Sequence, residues 1–336
     1  MSKSEPMSVP VTLTLIAYNQ ENYVREAIES AFAQTFSPLE IILSDDCSPD
    51  RTFAIMQEMA ESYRGPHRVH ARREQVNVGT VQHLINVSRA AQGELVVIAA
   101  GDDLSYPDRV TALYEAWAES GAAAMASWHD EIDDHGTMLR QDVSFPPSDV
   151  VQKIYAAETH ANRNNGVIET VPGFCAAFPR SFWADLPDPP GPLLAEDGFA
   201  SAMIILRGGK IQRLPRSLIA YRLLDSSLTV RAGGLDIADI RDRERKISFR
   251  AHDLVSVLNF TIDQVGRERL DIHPRTMMWF RNARNHGLVT ADFWEIGPVA
   301  RFLRLFRVRI WDDARFLMPR LFGFRLFATL RRMFKN

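Results

Sequence analysis

The sequence has few of the features that mark several common protein classes. Its 336 residues include two cysteines, Cys47 and Cys175, too few for a disulfide framework or a Cys-rich zinc site. A reducing cytosol is the simpler setting for them. No run of eighteen apolar residues occurs, so no integral membrane helix is expected. Met1 to Pro10 is polar and lacks the apolar core of a signal peptide. No GxGxxG follows the first apolar run and no GxxxxGK precedes a Ser or Thr, which removes the dinucleotide and P-loop readings. The nine histidines form no HExxH, and Ser44 and Ser48 sit in no GxSxG elbow. His83, His129 and His135 are read as surface or core residues rather than metal ligands.

The composition is that of a folded protein, with 46% hydrophobic and 24% charged residues. The formal net charge of −3 is unevenly placed: residues 301–336 hold ten Lys/Arg against two Asp/Glu, about +8, and the first 300 residues about −11. Such asymmetry points to an anionic partner for the tail.

Apolar runs alternate with helical patterns. Val11 to Ala17 is followed by Tyr18-Asn19 and a helix over Tyr23 to Gln34. Leu39 to Leu43 runs into Ser44-Asp45-Asp46-Cys47-Ser48-Pro49-Asp50 and a helix over Thr52 to Tyr63. A weaker strand near Val69 precedes Gly79 and another helix. Glu94 to Ala100 ends at Gly101-Asp102-Asp103, with Pro107 placed to open the next helix. Strands apolar throughout and joined by helices predict a mostly parallel sheet covered on both faces. Ligands of such sheets bind beyond the carboxyl ends of the strands, where Tyr18-Asn19, Asp45-Asp46 and Asp102-Asp103 all fall. Residues 121–227 read as less regular, with a Pro-rich stretch at Pro187 to Pro192 and an Asn/Gly-rich loop near Asn162 to Gly166, and are expected to form the second wall of a cleft. The expected organisation is 1–120 for the donor half, 121–230 for the acceptor and catalytic half, and 231–336 as a helical, basic extension.

Asp102-Asp103 offers hard oxygen ligands with no soft ligand nearby, which suits Mg²⁺ or Mn²⁺ held together with phosphate oxygens. A solvated turn or a helix cap is the alternative for an isolated pair. Asp45-Asp46 would repel unless hydrogen-bond donors compensate, and a base N–H or ribose hydroxyl supplies them. Glu196-Asp197 precedes an amphipathic helix over Phe199 to Leu206, where dipole compensation is the competing reading. Together the three acidic pairs suit a metal site and a general base in one cleft.

These residues resemble the inverting family 2 glycosyltransferases with the GT-A fold. The resemblance is carried by Leu15-Ile16-Ala17-Tyr18-Asn19 with Tyr23-Val24, Ala27-Ile28, Ser30 and Gln34-Thr35; by Glu40 through Thr52; and by Asn77-Val78-Gly79. It continues through Gly93 to Asp103 with Pro107, Pro172-Gly173 with Arg180, Glu196-Asp197, Gly209, and Ala220-Tyr221-Arg222 with Ser227. It implies that Tyr18 and Asp46 contact the nucleoside with Asp45 in support, in a donor pocket that also includes Ala17, Asn19, Asn77, Gly79 and Arg222. Asp102 would touch the ribose or diphosphate and join Asp103 as metal ligand, Asp103 standing nearest the ion. Asp197 would be the general base, with Glu196 its neighbour. Two departures stand out: Ala100 where many relatives have an Asp, and Leu224 where many have a His.

The implied reaction transfers a sugar from a UDP-, GDP- or dTDP-linked donor to a glycan or lipid-linked acceptor with inversion, in cell-surface polysaccharide or glycolipid synthesis. A nucleotidyltransferase is the enzymatic rival, though its Gly-rich phosphate loop is missing, and an inert GT-A-like binding protein is the other. From Arg301 to Lys335 apolar residues such as Phe302, Leu305 and Phe306 share one helical side and arginines another. That stripe suits peripheral contact with the inner face of a membrane by a cytoplasmic protein, or packing on the catalytic domain or a second subunit. No nucleic-acid recognition motif is present.

Overall fold

The apolar run Val11–Ala17 (β1) forms the middle of a parallel sheet. Glu40–Asp45 (β2) pairs on one side of it and Leu95–Ala100 (β4) on the other, while Arg68–Arg73 (β3) adds to β2. With neighbours on both edges and helices on both faces, β1 buries Val11, Thr12, Leu13, Thr14 and Leu15 completely. The Thr12 hydroxyl is satisfied there: Thr12 Oγ1 donates to Glu40 Oε2 at 2.6 Å and accepts from Gly93 N at 2.9 Å, whereas Thr14 Oγ1 has no partner among the described residues. The crossovers run through Val24–Phe32 (α1), Thr52–Ser62 (α2) and Thr80–Ala90 (α3), with Arg109–Ser120 (α4) following. In α1 the buried positions Val24, Ala27, Ile28 and Ala31 fall three, four and seven apart, a single stripe facing the sheet. The structure, a computed structural model, describes residues 10–144, 171–224 and most of 237–284.

Beyond β4 the sheet is mixed. Ala176–Pro179 (β8) lies antiparallel between β4 and Ala124–Ile132 (β6), and Ile211–Arg222 (β9) runs parallel to β6. The two-residue strand Leu104–Ser105 (β5) closes the far edge on β9, and Met138–Val143 (β7) pairs back on β6. The order among the described residues is β3-β2-β1-β4-β8-β6-β9-β5. Residues 121–227, expected to be irregular, thus supply two long strands. The sequence of β6, AMASWHDEI, hides its strand character behind small and charged residues, yet eight of its nine positions are buried. Its charges are paired: Asp130 accepts the Tyr106 hydroxyl at 2.5 Å, and Glu131 meets Arg140. Arg180–Ala184 (α5) and Glu196–Leu206 (α6) complete this region, α6 starting three residues before the expected Phe199.

The chain divides into two compact units, Met1–Leu224 and Asp225–Asn336. In the second, Ile237–Glu268 forms one helix of 32 residues (α7), which buries Val257, Leu258, Phe260 and Thr261. Among the described residues no helix is long and apolar enough to cross a membrane. The Asn162–Gly166 loop, Ser227 and the basic stretch 301–336 lie outside the described residues.

Candidate active site

The carboxyl ends of β1, β2 and β4 carry the three polar clusters side by side, since these strands are hydrogen-bonded neighbours. Their loops are stitched together. Asn19, with a left-handed φ of 58°, gives its N–H to Ser48 Oγ at 2.8 Å, and Gln20 N donates to Thr52 Oγ1 at 2.8 Å. Thr52 Oγ1 in turn donates to Asp50 Oδ1 at 2.6 Å, and Asp50 Oδ2 accepts Glu21 N at 3.0 Å. Tyr18 stands out from this frame with 49% of its surface exposed, while Ala17 is buried at its base.

Asp45 is completely buried. Its Oδ2 accepts Ser48 N at 2.9 Å and pairs with Arg73 Nε at 3.1 Å, whereas its Oδ1 has no partner among the described residues. Asp46 differs in that both oxygens are taken, by Val78 N at 2.8 Å and Gly79 N at 3.0 Å, and Asn77 Nδ2 donates to its backbone carbonyl. Burial pushes the Asp46 carboxyl up from its ordinary value, against the pull of those two N–H groups. Asp46 therefore holds the Asn77–Gly79 turn, where Gly79 has φ 79°. The unpartnered oxygen belongs to Asp45, where it is fully enclosed.

Asp102 and Asp103 divide by exposure instead. Asp103 is turned inward and 5% exposed, its Oδ1 accepting Arg222 N at 2.8 Å and its Oδ2 buried without a partner among the described residues. Burial, and then the neighbouring Asp102 charge, hold its carboxyl well above the ordinary range. Asp102 is half-buried, and its carboxylate is hydrogen-bonded by the Gln20 side chain. Burial raises it too, opposed by that amide and by Arg222. Gly101 is required between them and β1: a Cβ there would stand 2.5 Å from Gln20 Oε1 and 2.6 Å from the Ala17 Cβ.

Glu196 and Asp197 form the first turn of α6, where negative charge complements the helix dipole. The segment leading into them packs on residues 79–81 at the start of α3. Val81 N donates to Leu193 O at 3.0 Å, and a Cβ on Gly79 would meet Leu193 N and O at 3.1 Å. Glu196 packs on Gly173, whose added Cβ would fall 2.2 Å from Glu196 Oε1, while Asp197 is exposed. Gly173 belongs to the turn Gly173–Cys175, and that turn is tied to the end of β4 by Arg109. This guanidinium is buried, reaching Phe174 O at 2.9 Å, Ile98 O and Ser105 Oγ. Arg109 and Gln20 are site-building residues that spacing alone did not single out. Arg109 opens α4 without a motif around it, and Gln20 stands beside the more conspicuous Tyr18-Asn19.

Arg222, expected in the donor pocket, has its side chain 1% exposed and committed to protein partners, detailed below. His83 is likewise internal: its ring contacts Ser44 Oγ at 2.6 Å, and burial lowers its pKa to about 3. His129 is buried, and the exposed His135 lies beside Asp134. Among the described residues no group of three His, Cys, Asp or Glu stands close enough to hold a metal ion by itself.

The family model described as glycosyl transferase family 2 matches residues 12–186, which contain β1 to β4 and the Asp102-Asp103 loop. An uncharacterized protein of Mycobacterium tuberculosis is 26% identical over 278 residues, covering 80% of this chain and 73% of its own. The putative glycosyltransferase EpsH of Bacillus subtilis is 27% identical over 150 residues, 44% of this chain and 42% of its own. Among solved structures, the mannosyltransferase PcManGT of Pyrobaculum calidifontis, in complex with GDP-Man and Mn²⁺, superposes with a TM-score of 0.55. It is 17% identical, and the match covers 97% of this chain and 88% of that one. With the family matched over half of its length, the chain belongs to glycosyl transferase family 2 and is a glycosyltransferase of GT-A fold.

Proposed function

We propose that the protein moves a sugar from a nucleoside-diphosphate donor to a hydroxyl acceptor with inversion. The observation that carries this reading is that Tyr18, Asp45-Asp46 and Asp102-Asp103 meet at the carboxyl ends of three hydrogen-bonded neighbouring strands. One carboxylate of each pair anchors a loop, Asp46 on the Val78 and Gly79 amides and Asp103 on the Arg222 amide. Asp45 anchors as well, through Ser48 N and Arg73, and Asp102 is the one partly exposed member of the two pairs. The exposed Tyr18 ring offers a face on which the base stacks, above the loop that Asp45 and Asp46 hold in place.

The donor set suits a hard divalent ion. Mg²⁺ is commonly held by one or two carboxylates and completed by substrate phosphates, and Asp102 at the end of β4 offers one such partly exposed carboxylate. Asp102 rather than Asp103 is the residue we assign to it, because the Asp103 carboxylate points at a backbone amide in the protein interior. A bound ion would supply positive charge for the departing diphosphate. The Pyrobaculum mannosyltransferase of the same fold holds Mn²⁺ with GDP-Man, in keeping with this assignment.

Asp197 is assigned as the general base that takes the acceptor hydroxyl's proton as that oxygen attacks the anomeric carbon, a role worth roughly 10²- to 10⁴-fold in rate. Glu196 packs on Gly173 and sets the height of the helix start. The acceptor is assigned as a glycan or lipid-linked glycan, with residues 301–336 as its membrane-facing element. A panel of UDP-, GDP- and dTDP-sugars tests the reading. It expects one of them to release its nucleoside diphosphate, and Asp197→Asn to stop transfer while that nucleotide still binds. Undiminished turnover by Asp197→Asn would reassign the base.

A further inference from the structure

We infer that Arg222 is a positioning residue for the Asp102–Asp103 loop and not a ligand of the donor's phosphates. The inference rests on the assignment of Asp102 to the ion.

Its side chain makes four hydrogen bonds. Nε donates to Asp102 O at 2.9 Å, Nη1 to Asp133 O at 3.3 Å and Asp134 O at 3.0 Å, and Nη2 to Glu26 Oε2 at 2.8 Å. The guanidinium also lies 5.0 Å from the Tyr23 ring centroid. A guanidinium has five N–H groups, so little capacity is left on a side chain 1% exposed. Phosphate recognition by arginine ordinarily uses a parallel pair of donors aimed outward. Here three of the four bonds go to main-chain carbonyls and the fourth to the Glu26 carboxylate.

Those partners describe what Arg222 does. The end of β9 grips the metal-side loop at three successive places: Leu104 pairs with Ala220, the Asp103 carboxylate accepts Arg222 N, and the Asp102 carbonyl accepts Arg222 Nε. With its carbonyl and its neighbour both fixed, the Asp102 backbone has no freedom to rotate, and its carboxylate is held toward Gln20. The same guanidinium fastens the turn after β6 and the start of α1, so four segments register on one side chain. Lysine cannot reproduce this, because an ammonium lacks the planar fork that spans separate acceptors.

The test reads ion binding directly. Mn²⁺ is titrated calorimetrically into protein saturated with UDP or, in parallel, GDP, and nucleotide binding is measured separately in excess EDTA. Arg222→Lys should weaken Mn²⁺ binding by about 10- to 100-fold, the range for residues that orient a metal ligand, with EDTA-state nucleotide binding within about twofold. Glu26→Gln, changed at a carboxylate 60% exposed, should weaken Mn²⁺ by roughly two- to fivefold, as loss of an ion pair with one exposed partner implies. It carries the test alone if Arg222→Lys melts below the working temperature. Loss of EDTA-state nucleotide binding in Arg222→Lys would show direct phosphate contact and overturn the inference. Unchanged Mn²⁺ affinity in Arg222→Lys or Glu26→Gln would do the same. Unchanged Mn²⁺ affinity in Asp102→Asn would instead sink the assignment beneath it.

Discussion

Replacing Asp103 by Asn and by Ala separates a structural carboxylate from a metal ligand. Asp103 Oδ1 accepts the Arg222 amide at 2.8 Å in a fully enclosed position. Asn keeps that acceptor and puts an amide where the unpartnered Oδ2 stands, whereas Ala strands a buried N–H. A stranded buried donor costs roughly 1–3 kcal/mol, so Asp103→Ala should be less stable than Asp103→Asn by about that amount. The pH dependence has a definite sign. Because the folded carboxyl is held well above 3.8 by burial and by Asp102, its stabilising contribution is complete below about 3.8. That contribution is lost as pH rises toward the folded value. Asn does not titrate, so in EDTA the stability of Asp103→Asn relative to wild type should grow as pH is raised from about 4. Urea unfolding across that range measures both effects, and donor turnover against Mn²⁺ concentration measures the metal requirement. Asp103→Asn should keep its Mn²⁺ response. If it loses that response while Asp102→Asn retains it, the assignment of roles within the pair is wrong.

Other outcomes follow from the same geometry. His83 is neutral in the folded state, with a pKa near 3 set by burial against 6.5 when exposed, so stability present above 6.5 drains as pH falls toward 3. Between pH 7 and pH 5 that amounts to about 2 kcal/mol. His83→Gln should flatten the slope of unfolding free energy in that interval, and an unaltered slope would discount the burial argument. Arg109→Met should destabilise the protein by roughly 3 kcal/mol or more, because it leaves the Ile98 and Phe174 carbonyls and Ser105 without their donor. An unshifted melting curve would contradict that. A version ending near Gly297 should lose binding to anionic liposomes in co-sedimentation if residues 301–336 meet the membrane, and equal binding would defeat that role.

The parallel half of the fold was legible because β1, β2 and β4 are mostly apolar and buried along their length and α1 carries a single stripe, whereas the charged edge strand β3 read weakly. Val11–Ala17 and α1 stand where the pattern put them. The second half was not, for a definite reason: β6 buries His129, Asp130 and Glu131 through pairings with residues distant in sequence, and periodicity registers only polarity, not partners. Asp45-Asp46 and Asp102-Asp103 could be placed at strand ends from the sequence because they follow apolar runs. The amides that Asp46 and Asp103 anchor come from other segments, Val78 and Gly79 for Asp46 and Arg222 for Asp103. No local pattern encodes that. The same holds for Arg222, whose Tyr-Arg context suggested a donor contact while its partners are Glu26, Asp102, Asp133 and Asp134.

The central claim, that Asp102 holds the ion beside a nucleotide-sugar and Asp197 takes the acceptor's proton, meets its most direct test in a single donor assay. Nucleoside-diphosphate release is followed from UDP-, GDP- and dTDP-sugars with Mn²⁺ and with excess EDTA, for wild type, Asp102→Asn and Asp197→Asn. The account predicts release from one donor class that EDTA and Asp102→Asn both suppress, and that Asp197→Asn abolishes without loss of nucleotide binding. Full release in EDTA, or from Asp102→Asn, would contradict it.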